Sequence, residues 1–208
     1  MPQESSRATG MLCVETCRNE LSNCQNVLIQ TAKWERAVLQ WAEEADISKR
    51  LRMRVSVDKI LYHHKIRISV SGCPNCCSKP QIADFGIVGY VSPAVNTDTC
   101  TVCGACHDVC PDAAITVKNA PPLFDRNKCL GCVKCREIFP NGSIILMDPG
   151  VRLLVGGKLG RHPRLAQVIG EFDGLDVVVQ RIGRIVEEYI KCANSDERFA
   201  DFWIRTHN

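Results

Sequence analysis

The stretch Cys100-Thr-Val-Cys103-Gly-Ala-Cys106-His-Asp-Val-Cys110-Pro111 decides how this chain is interpreted. Its cysteines are separated by two, two and three residues, and a proline follows the last one. Thiolates at this spacing reach the corners of an iron–sulfur cube, and in proteins with two clusters the last cysteine of such a run ligates the other cluster. The pattern therefore predicts a protein that carries electrons.

A second run, Cys129-x2-Cys132-x2-Cys135, repeats most of the first one further along the chain. Together with Cys110 it supplies four thiolates, a complete ligand set for one [4Fe–4S] cluster. A zinc site with four cysteine ligands is the alternative, but zinc sites rarely show this doubled spacing. Residues 95–147, which contain both runs, are therefore expected to form a bacterial-type dicluster ferredoxin domain.

The other set of thiolates is short by one ligand. Cys100, Cys103 and Cys106 predict a fourth cysteine at position 139, where this chain has Phe139, although Pro140 is retained. Either this cluster is [3Fe–4S], or a distant cysteine or a water completes a [4Fe–4S] cluster.

The flanking sequence has the patterns of a larger α/β domain. Residues 65–71 alternate like a strand with one apolar face, and residues 27–45 and 176–192 have the apolar stripes of helices. Further strands are predicted at residues 82–88 and 151–155. The predicted fold is thus α+β: a discontinuous domain of residues 10–94 and 148–208, with a mixed sheet and flanking helices, interrupted by the ferredoxin-type insert.

Composition excludes several classes of protein. The 208-residue chain has a formal net charge of +3, too small to indicate a nucleic-acid partner. No apolar run approaches the roughly 18 residues of a membrane helix, and the N-terminus lacks the apolar core of an export signal. The 14 cysteines have metal-ligand rather than disulfide-scaffold spacing, so a reducing compartment, the cytoplasm, is expected.

The segment Ser71-Gly72-Cys73-Pro74-Asn75-Cys76-Cys77 resembles the Gly-Cys-Pro-Asn-x-Cys segment of the sirohaem-containing sulfite and nitrite reductases. It is similar in particular to low-molecular-weight anaerobic, dissimilatory-type sulfite reductases, which carry a ferredoxin insert at this place. Further segments fall in the family's order: Lys65-x-Arg67, Gly156-Gly157-Lys158-x-Gly160-Arg161 and Glu197-Arg198-Phe199.

The resemblance implies a further [4Fe–4S] cluster. Cys73 and Cys77 would supply two of its ligands, and Cys77 would also bridge the cluster to the sirohaem iron. The family takes the other two ligands from an upstream Cys-x5-Cys pair. Here the expected pair is Cys17 and Cys24, one residue further apart, and Cys13 with Cys17 is the alternative.

The resemblance also implies sites for the haem and for its substrate. Cations and backbone N–H groups of a glycine loop could bind the sirohaem carboxylates. Lys65 and Arg67 could hold the substrate anion and stabilise its charge. Taken alone, a basic glycine loop or an alternating Lys–Arg pair is more often solvated surface. The expected cofactor-binding residues are Cys77, Asn75, Gly156, Gly157, Lys158, Arg161 and His162.

The first functional hypothesis is an enzyme that reduces sulfite or nitrite at sirohaem, with electrons from a redox partner protein entering through the ferredoxin-type clusters. Family members usually begin with a further half-domain, whereas 16 residues precede Cys17 here. A homo- or hetero-oligomer is therefore expected to supply that half. The alternative is a non-catalytic electron-transfer subunit built on a truncated reductase scaffold.

Overall fold

The computed structural model describes residues 6–18, 23–139, 142–147 and 149–207. The strands are β1 (Ser6–Thr9), β2 (Leu12–Thr16), β3 (Ile66–Ser71), β4 (Phe85–Tyr90), β5 (Pro93–Val95), β6 (Ile115–Thr116), β7 (Leu123–Phe124), β8 (Ile144–Leu146), β9 (Gly150–Val155) and β10 (Gln167–Phe172). The helices are α1 (Thr31–Glu44), α2 (Ile47–Arg52), α3 (Ala105–Asp108), α4 (Lys134–Glu137), α5 (Leu175–Cys192) and α6 (Phe199–His207).

A six-stranded mixed sheet in the order β1-β2-β3-β4-β9-β10 forms the centre of the fold. Strands β2, β3 and β4 are parallel, whereas β1, β9 and β10 each run antiparallel to a neighbour. This mixed sheet with its helices confirms the predicted fold class. The strand predicted at residues 82–88 begins later, at Phe85, because Pro80–Ile82 form a turn of 3₁₀ helix.

Alternation along β3 separates the two faces of the sheet. Ile66, Ile68 and Val70 are buried with their neighbours on β2, β4 and β9 in an apolar core, which is completed by α1, α2, α5 and α6. The stripe predicted on α1 consists of Trp34, Val38, Trp41 and Ala45. The structure buries Ala42 together with Trp34 and Val38, whereas Trp41 is partly buried and packs against Gly183 of α5. The stripe predicted on α5 is buried as expected: Val178, Ile182, Ile185, Val186 and Tyr189.

The core predicts a large effect of truncating Ile182. Its side chain is fully buried at 0% exposure in the middle of α5. Ile182→Ala should lower the free energy of unfolding by roughly 2–5 kcal/mol through lost burial and a residual cavity. Urea unfolding measures this, with Val177→Ala on the same helix, 54% exposed, as the control that should stay within about 0.5 kcal/mol of the parent. Equal losses in both variants would contradict the assigned core face.

The opposite face of the sheet carries polar side chains and glycine. The register places Cys13 and Glu15 of β2 beside Arg67 and Ser69 of β3 on this face. Segment 73–83 covers part of it, because the Ser69 hydroxyl donates to the Ser78 carbonyl at 2.7 Å.

Between β4 and β9 the chain forms two small sheets, β5-β8 and β6-β7, with the short helices α3 and α4. Cys106, Ile115, Cys135 and Ile144 form a separate apolar cluster there. Within the described parts of the chain, no helix is both long enough and apolar enough to cross a membrane.

Candidate functional site

Thiols converge around one cavity at the carboxyl ends of β2 and β3. The cavity has a volume of about 470 Å³, and the sulfur-bearing residues on its walls are Cys17, Cys24, Cys73 and Cys77. The other lining residues are Glu15, Thr16, Arg18, Val27, Ser71, Gly72, Asn75, Ser78 and Lys79. The preferred pairing of Cys17 and Cys24 with Cys73 and Cys77 is therefore what the structure brings together. The alternative residue Cys13 is buried within β2.

Backbone hydrogen bonds position Cys17 and the segment after Cys24 beside the turn that contains Cys73, although they are far from it in the sequence. The Cys17 N–H donates to the Val70 carbonyl at 3.0 Å, which continues the β2–β3 pairing past the end of β2. The Gly72 N–H donates to Cys17 Sγ at 3.2 Å. The Gly72 carbonyl accepts the Leu28 N–H at 2.9 Å, so the segment that follows Cys24 is held beside the same turn.

A compact turn after β3 directs Cys73 and Cys77 to the cavity. The Cys76 N–H donates to the Cys73 carbonyl at 3.2 Å, and the Lys79 N–H donates to the Cys76 carbonyl at 2.8 Å. The hydroxyls of Ser71 and Ser78 hydrogen-bond at 2.7 Å and fasten the turn to the sheet. Cys76 has a φ of +54° and is not among the described residues that line the cavity.

The environment of these thiols favours a positively charged ligand. Burial raises the pKa of Cys73, and the neighbouring thiols of Cys17, Cys24 and Cys77 raise it further. Because thiolates packed together repel one another, a bound metal centre stabilises the deprotonated set. In the described residues, no group of three or more histidine, cysteine or carboxylate side chains could hold a single metal ion. Four thiols around one cavity instead fit a [4Fe–4S] cluster, whose ligands bind its separate corners.

The expected cofactor-binding residues divide into two groups. Asn75 and Cys77 line the cysteine cavity, whereas its described walls do not include the glycine loop that follows β9. In that loop the Lys158 ammonium is ion-paired with Asp201 of α6, and Arg161 and His162 are exposed. A Cβ on Gly156 would lie 2.4 Å from Trp203 Cδ1, and one on Gly157 would lie 2.5 Å from the Gln81 carbonyl oxygen. Close packing accounts for both glycines.

The cations on the cavity wall are residues that the motifs did not indicate. Arg18 and Lys79 line the cavity together with the cysteines. Arg18 directly follows Cys17, and Lys79 closes the turn that holds Cys77, so adjacency to the ligands was the available signal. These two side chains are suited to the carboxylates of a sirohaem ring or to a small anion.

Lys65 and Arg67 lie toward the amino end of β3, away from the described cavity walls. The Arg67 guanidinium donates to the Ile82 carbonyl, and its Nε lies 3.8 Å from Asp84 Oδ2. Asp84 is buried, which raises its pKa to about 6 although Arg67 opposes the shift. Lys65 borders an open depression that is also lined by Lys49, Arg52 and Asp46. The anion-binding role of Lys65 and Arg67 stays a prediction.

The cysteines of residues 95–147 line two separate small cavities. Cys110, Cys129, Cys132 and Cys135 line one small cavity, and burial raises the pKa of Cys135 to about 12. A second cavity is lined by Cys100, Cys103 and Cys106, and Phe139 stands in its wall. The described wall of the first cavity thus includes Cys110 of the first run beside the three cysteines of the second run.

Comparisons with known proteins indicate the family to which this chain belongs. The model of the "Nitrite and sulphite reductase 4Fe-4S domain" matches residues 16–206. The chain is 35% identical over 135 residues to the coenzyme F420-dependent sulfite reductase of Methanocaldococcus jannaschii, covering 65% of this chain and 22% of that protein. It is 26% identical over 209 residues to the dissimilatory-type sulfite reductase subunit alpha of Allochromatium vinosum, covering 94% and 45%.

The fold is also found in a solved structure. Dissimilatory sulfite reductase I superposes with a TM-score of 0.63 at 18% identity, covering 96% of this chain and 51% of that one. The chain thus spans about a fifth to a half of the length of these relatives. The resemblance inferred from the Cys73–Cys77 segment is confirmed. Since the family model matches nearly all of the sequence, the chain belongs to the nitrite and sulphite reductase 4Fe-4S domain family.

Proposed function

We propose that this chain is the iron–sulfur and sirohaem-binding part of an oxidoreductase that reduces sulfite or nitrite. The observation that carries the proposal is the convergence of Cys17, Cys24, Cys73 and Cys77 on one cavity. These residues come from two segments about fifty positions apart, and a shared cluster explains why four thiols meet there. The names of the relatives support sulfite as the substrate.

The residues of this chain would hold and orient the cofactors. The four thiolates would bind the [4Fe–4S] cluster, and Cys77, the most exposed of them, would face the sirohaem. When bound, sirohaem would supply a redox-active iron for the reduction of the anion. Arg18 and Lys79 would neutralise the carboxylates of the ring or the charge of the anion, and Asn75 would contribute a polar group at the same wall.

The cysteines of residues 95–147 would hold the clusters that deliver electrons. In this proposal Cys110, Cys129, Cys132 and Cys135 bind a [4Fe–4S] cluster, and Cys100, Cys103 and Cys106 bind a [3Fe–4S] cluster, because the described walls of their cavity offer three thiols. The partners are the anion, a redox partner protein and a further subunit or second copy. The cytoplasm stays a prediction.

A second candidate is a non-catalytic electron-transfer subunit on the same scaffold. The observation that favours it is the pairing of two expected anion-binding cations with carboxylates: Lys158 with Asp201, and Arg67 with Asp84. If those cations are purely structural, the thiol sites could serve electron transfer alone.

The visible spectrum of anaerobically purified protein separates the two candidates. The protein should be produced with its neighbouring subunits in a host that makes sirohaem. We expect a sharp Soret band and a red band above the broad absorption of the clusters, together with sulfite reduction by a chemically reduced dye. Cluster absorption without haem bands or activity would overturn the enzymatic proposal and support the electron-transfer subunit.

A further inference from the structure

Arg152 of β9 joins the central sheet to one of the cysteine runs. Its Nη2 donates to the Cys129 carbonyl at 3.1 Å, and its Nη1 donates to the Leu130 carbonyl at 3.3 Å. The loop is packed tightly at the next residue as well: Gly131 has a φ of +72°, and a Cβ there would lie 2.5 Å from the Val91 carbonyl oxygen. The run that begins at Cys129 is therefore seated on the sheet.

The guanidinium is itself held in place from the sheet side. Its Nε donates to Glu171 of β10 at 2.8 Å, and it stacks 4.8 Å above the ring of Tyr90 of β4. Although partial burial opposes ionisation of Glu171, hydrogen bonds from Arg152 and Tyr90 keep its pKa below the usual value. The Arg152 side chain is 18% exposed, so solvent screens its charge only partly.

The register of the sheet connects this contact to the cysteine cavity. Ser71 of β3 pairs with Val88 of β4, and Val88 pairs with Arg152 of β9. The three residues share the polar face, and Ser71 lines the cysteine cavity. Two interstrand spacings, about 10 Å, therefore separate the Ser71 and Arg152 backbones. We call the paired residues Ser71, Val88 and Arg152 the Ser71–Val88–Arg152 rung. Through the hydrogen bonds of Arg152, the thiol set that contains Cys129 contacts the sheet at this rung.

A fixed cation at the ligand loop has a direct electrostatic consequence. Reduction adds negative charge to an iron–sulfur cluster, and its reduction potential depends on nearby charge and on hydrogen bonds to its sulfurs. Arginine keeps its charge at every relevant pH. By binding the carbonyls of Cys129 and Leu130, Arg152 also polarises the peptide units whose N–H groups belong to Leu130 and Gly131. Both effects favour the reduced state.

We propose that Arg152 is a positioning residue that raises the reduction potential of the cluster bound by Cys110, Cys129, Cys132 and Cys135 and fixes that cluster against the sheet. This cluster would then be the one that exchanges electrons with the cysteine cavity across the Ser71–Val88–Arg152 rung. The inference rests on the proposed function, because it requires the clusters to be present.

The test is a redox titration of the whole protein followed by EPR, comparing Arg152→Gln with Arg50→Gln. Arg50 is matched: it is also ion-paired with a glutamate, Glu187 at 2.5 Å, but it lies on α2 at the apolar-core side of the sheet. In Arg152→Gln we expect the reduced-to-oxidised ratio of one [4Fe–4S] centre to fall about tenfold at a fixed potential, a shift of about 59 mV for one electron. The other centres, and every centre of Arg50→Gln, should be unchanged.

Arg152→Lys keeps the charge but loses the two-pronged contact, and it should give a smaller shift of the same centre. If Arg152→Gln does not fold, comparison of Arg152→Lys with Arg50→Lys decides the matter by the same criterion. Unchanged titrations in the Arg152 variants, with the clusters present, would overturn this inference alone. Absence of iron–sulfur signals from the parent protein would instead overturn the proposed function.

Discussion

Replacing Cys73 with alanine should abolish the four-iron cluster proposed for the cysteine cavity and with it the proposed reduction of sulfite or nitrite. Cys73 is buried at the wall where all four thiols meet, and the remaining three cannot complete a four-iron ligand set, although three thiols suffice for a [3Fe–4S] cluster. We expect bound iron to fall by at least one atom per chain, and by about four where the whole cluster is lost. Activity should fall by about a hundredfold or more, because loss of a ligand exceeds the effect of losing one of its outer hydrogen-bond partners.

Cys76→Ala is the matched control for this experiment. Cys76 belongs to the same turn, and burial raises its thiol pKa to about 11, but it is not among the described residues of the cavity wall. Its removal should leave the iron content and the spectrum unchanged. Iron and labile sulfide analysis on anaerobically purified protein gives the readout, with far-UV circular dichroism to establish that both variants fold. Retention of the full iron content in Cys73→Ala would refute the assignment of this ligand set.

The second large effect concerns Phe139. It stands in the wall of the cavity that is lined by Cys100, Cys103 and Cys106, at the position where the spacing of the run predicts a fourth cysteine. Phe139→Cys should convert a three-iron centre into a four-iron centre. The oxidised parent should give the EPR signal of [3Fe–4S], and the variant should lose this signal, gain about one iron per chain and show a new signal on reduction.

Ile138→Cys is the control for Phe139→Cys. Ile138 is the preceding residue in the chain, is exposed and is not among the described residues of that wall. A thiol at position 138 should leave the three-iron signal intact. The comparison therefore separates the effect of a cysteine at position 139 from the effect of adding a cysteine anywhere in this segment. An oxidised parent that is EPR-silent and already holds four irons at this site would show that another group completes the cluster.

The two sets of cysteines proposed as cluster ligands in residues 95–147 could be predicted from the sequence because their members are close in the chain. Two or three intervening residues restrict where neighbouring thiols can point, so the spacing of Cys129, Cys132 and Cys135 implies a shared site before any fold is known. The same local logic identified the strand at residues 65–71 and the buried stripe of α5, since side-chain periodicity follows from backbone geometry.

The residues that would bind a haem or an anion were harder to predict because the sequence does not show which groups lie beside a given cation. Lys158 and Arg67 were expected to bind anions, but the fold places a carboxylate beside each of them. The sequence gives a weaker signal for Arg152, which is the one charged residue in the otherwise apolar strand β9. A charged residue in such a strand indicates a polar partner. The partners of Arg152 lie on the loop at Cys129 and on β10, and local sequence patterns do not identify contacts between such distant segments.

The order and spacing of the cysteines, read by themselves, predicted iron–sulfur clusters and a grouping of the cysteines in residues 95–147 into two sets. Tertiary structure decided that Cys17 and Cys24 meet Cys73 and Cys77. The physical reason is the parallel pairing of β2 with β3, which brings two distant chain segments to the same end of the sheet. Spacing constrains ligands that are joined by a short piece of backbone, whereas strand register alone can align ligands about fifty residues apart.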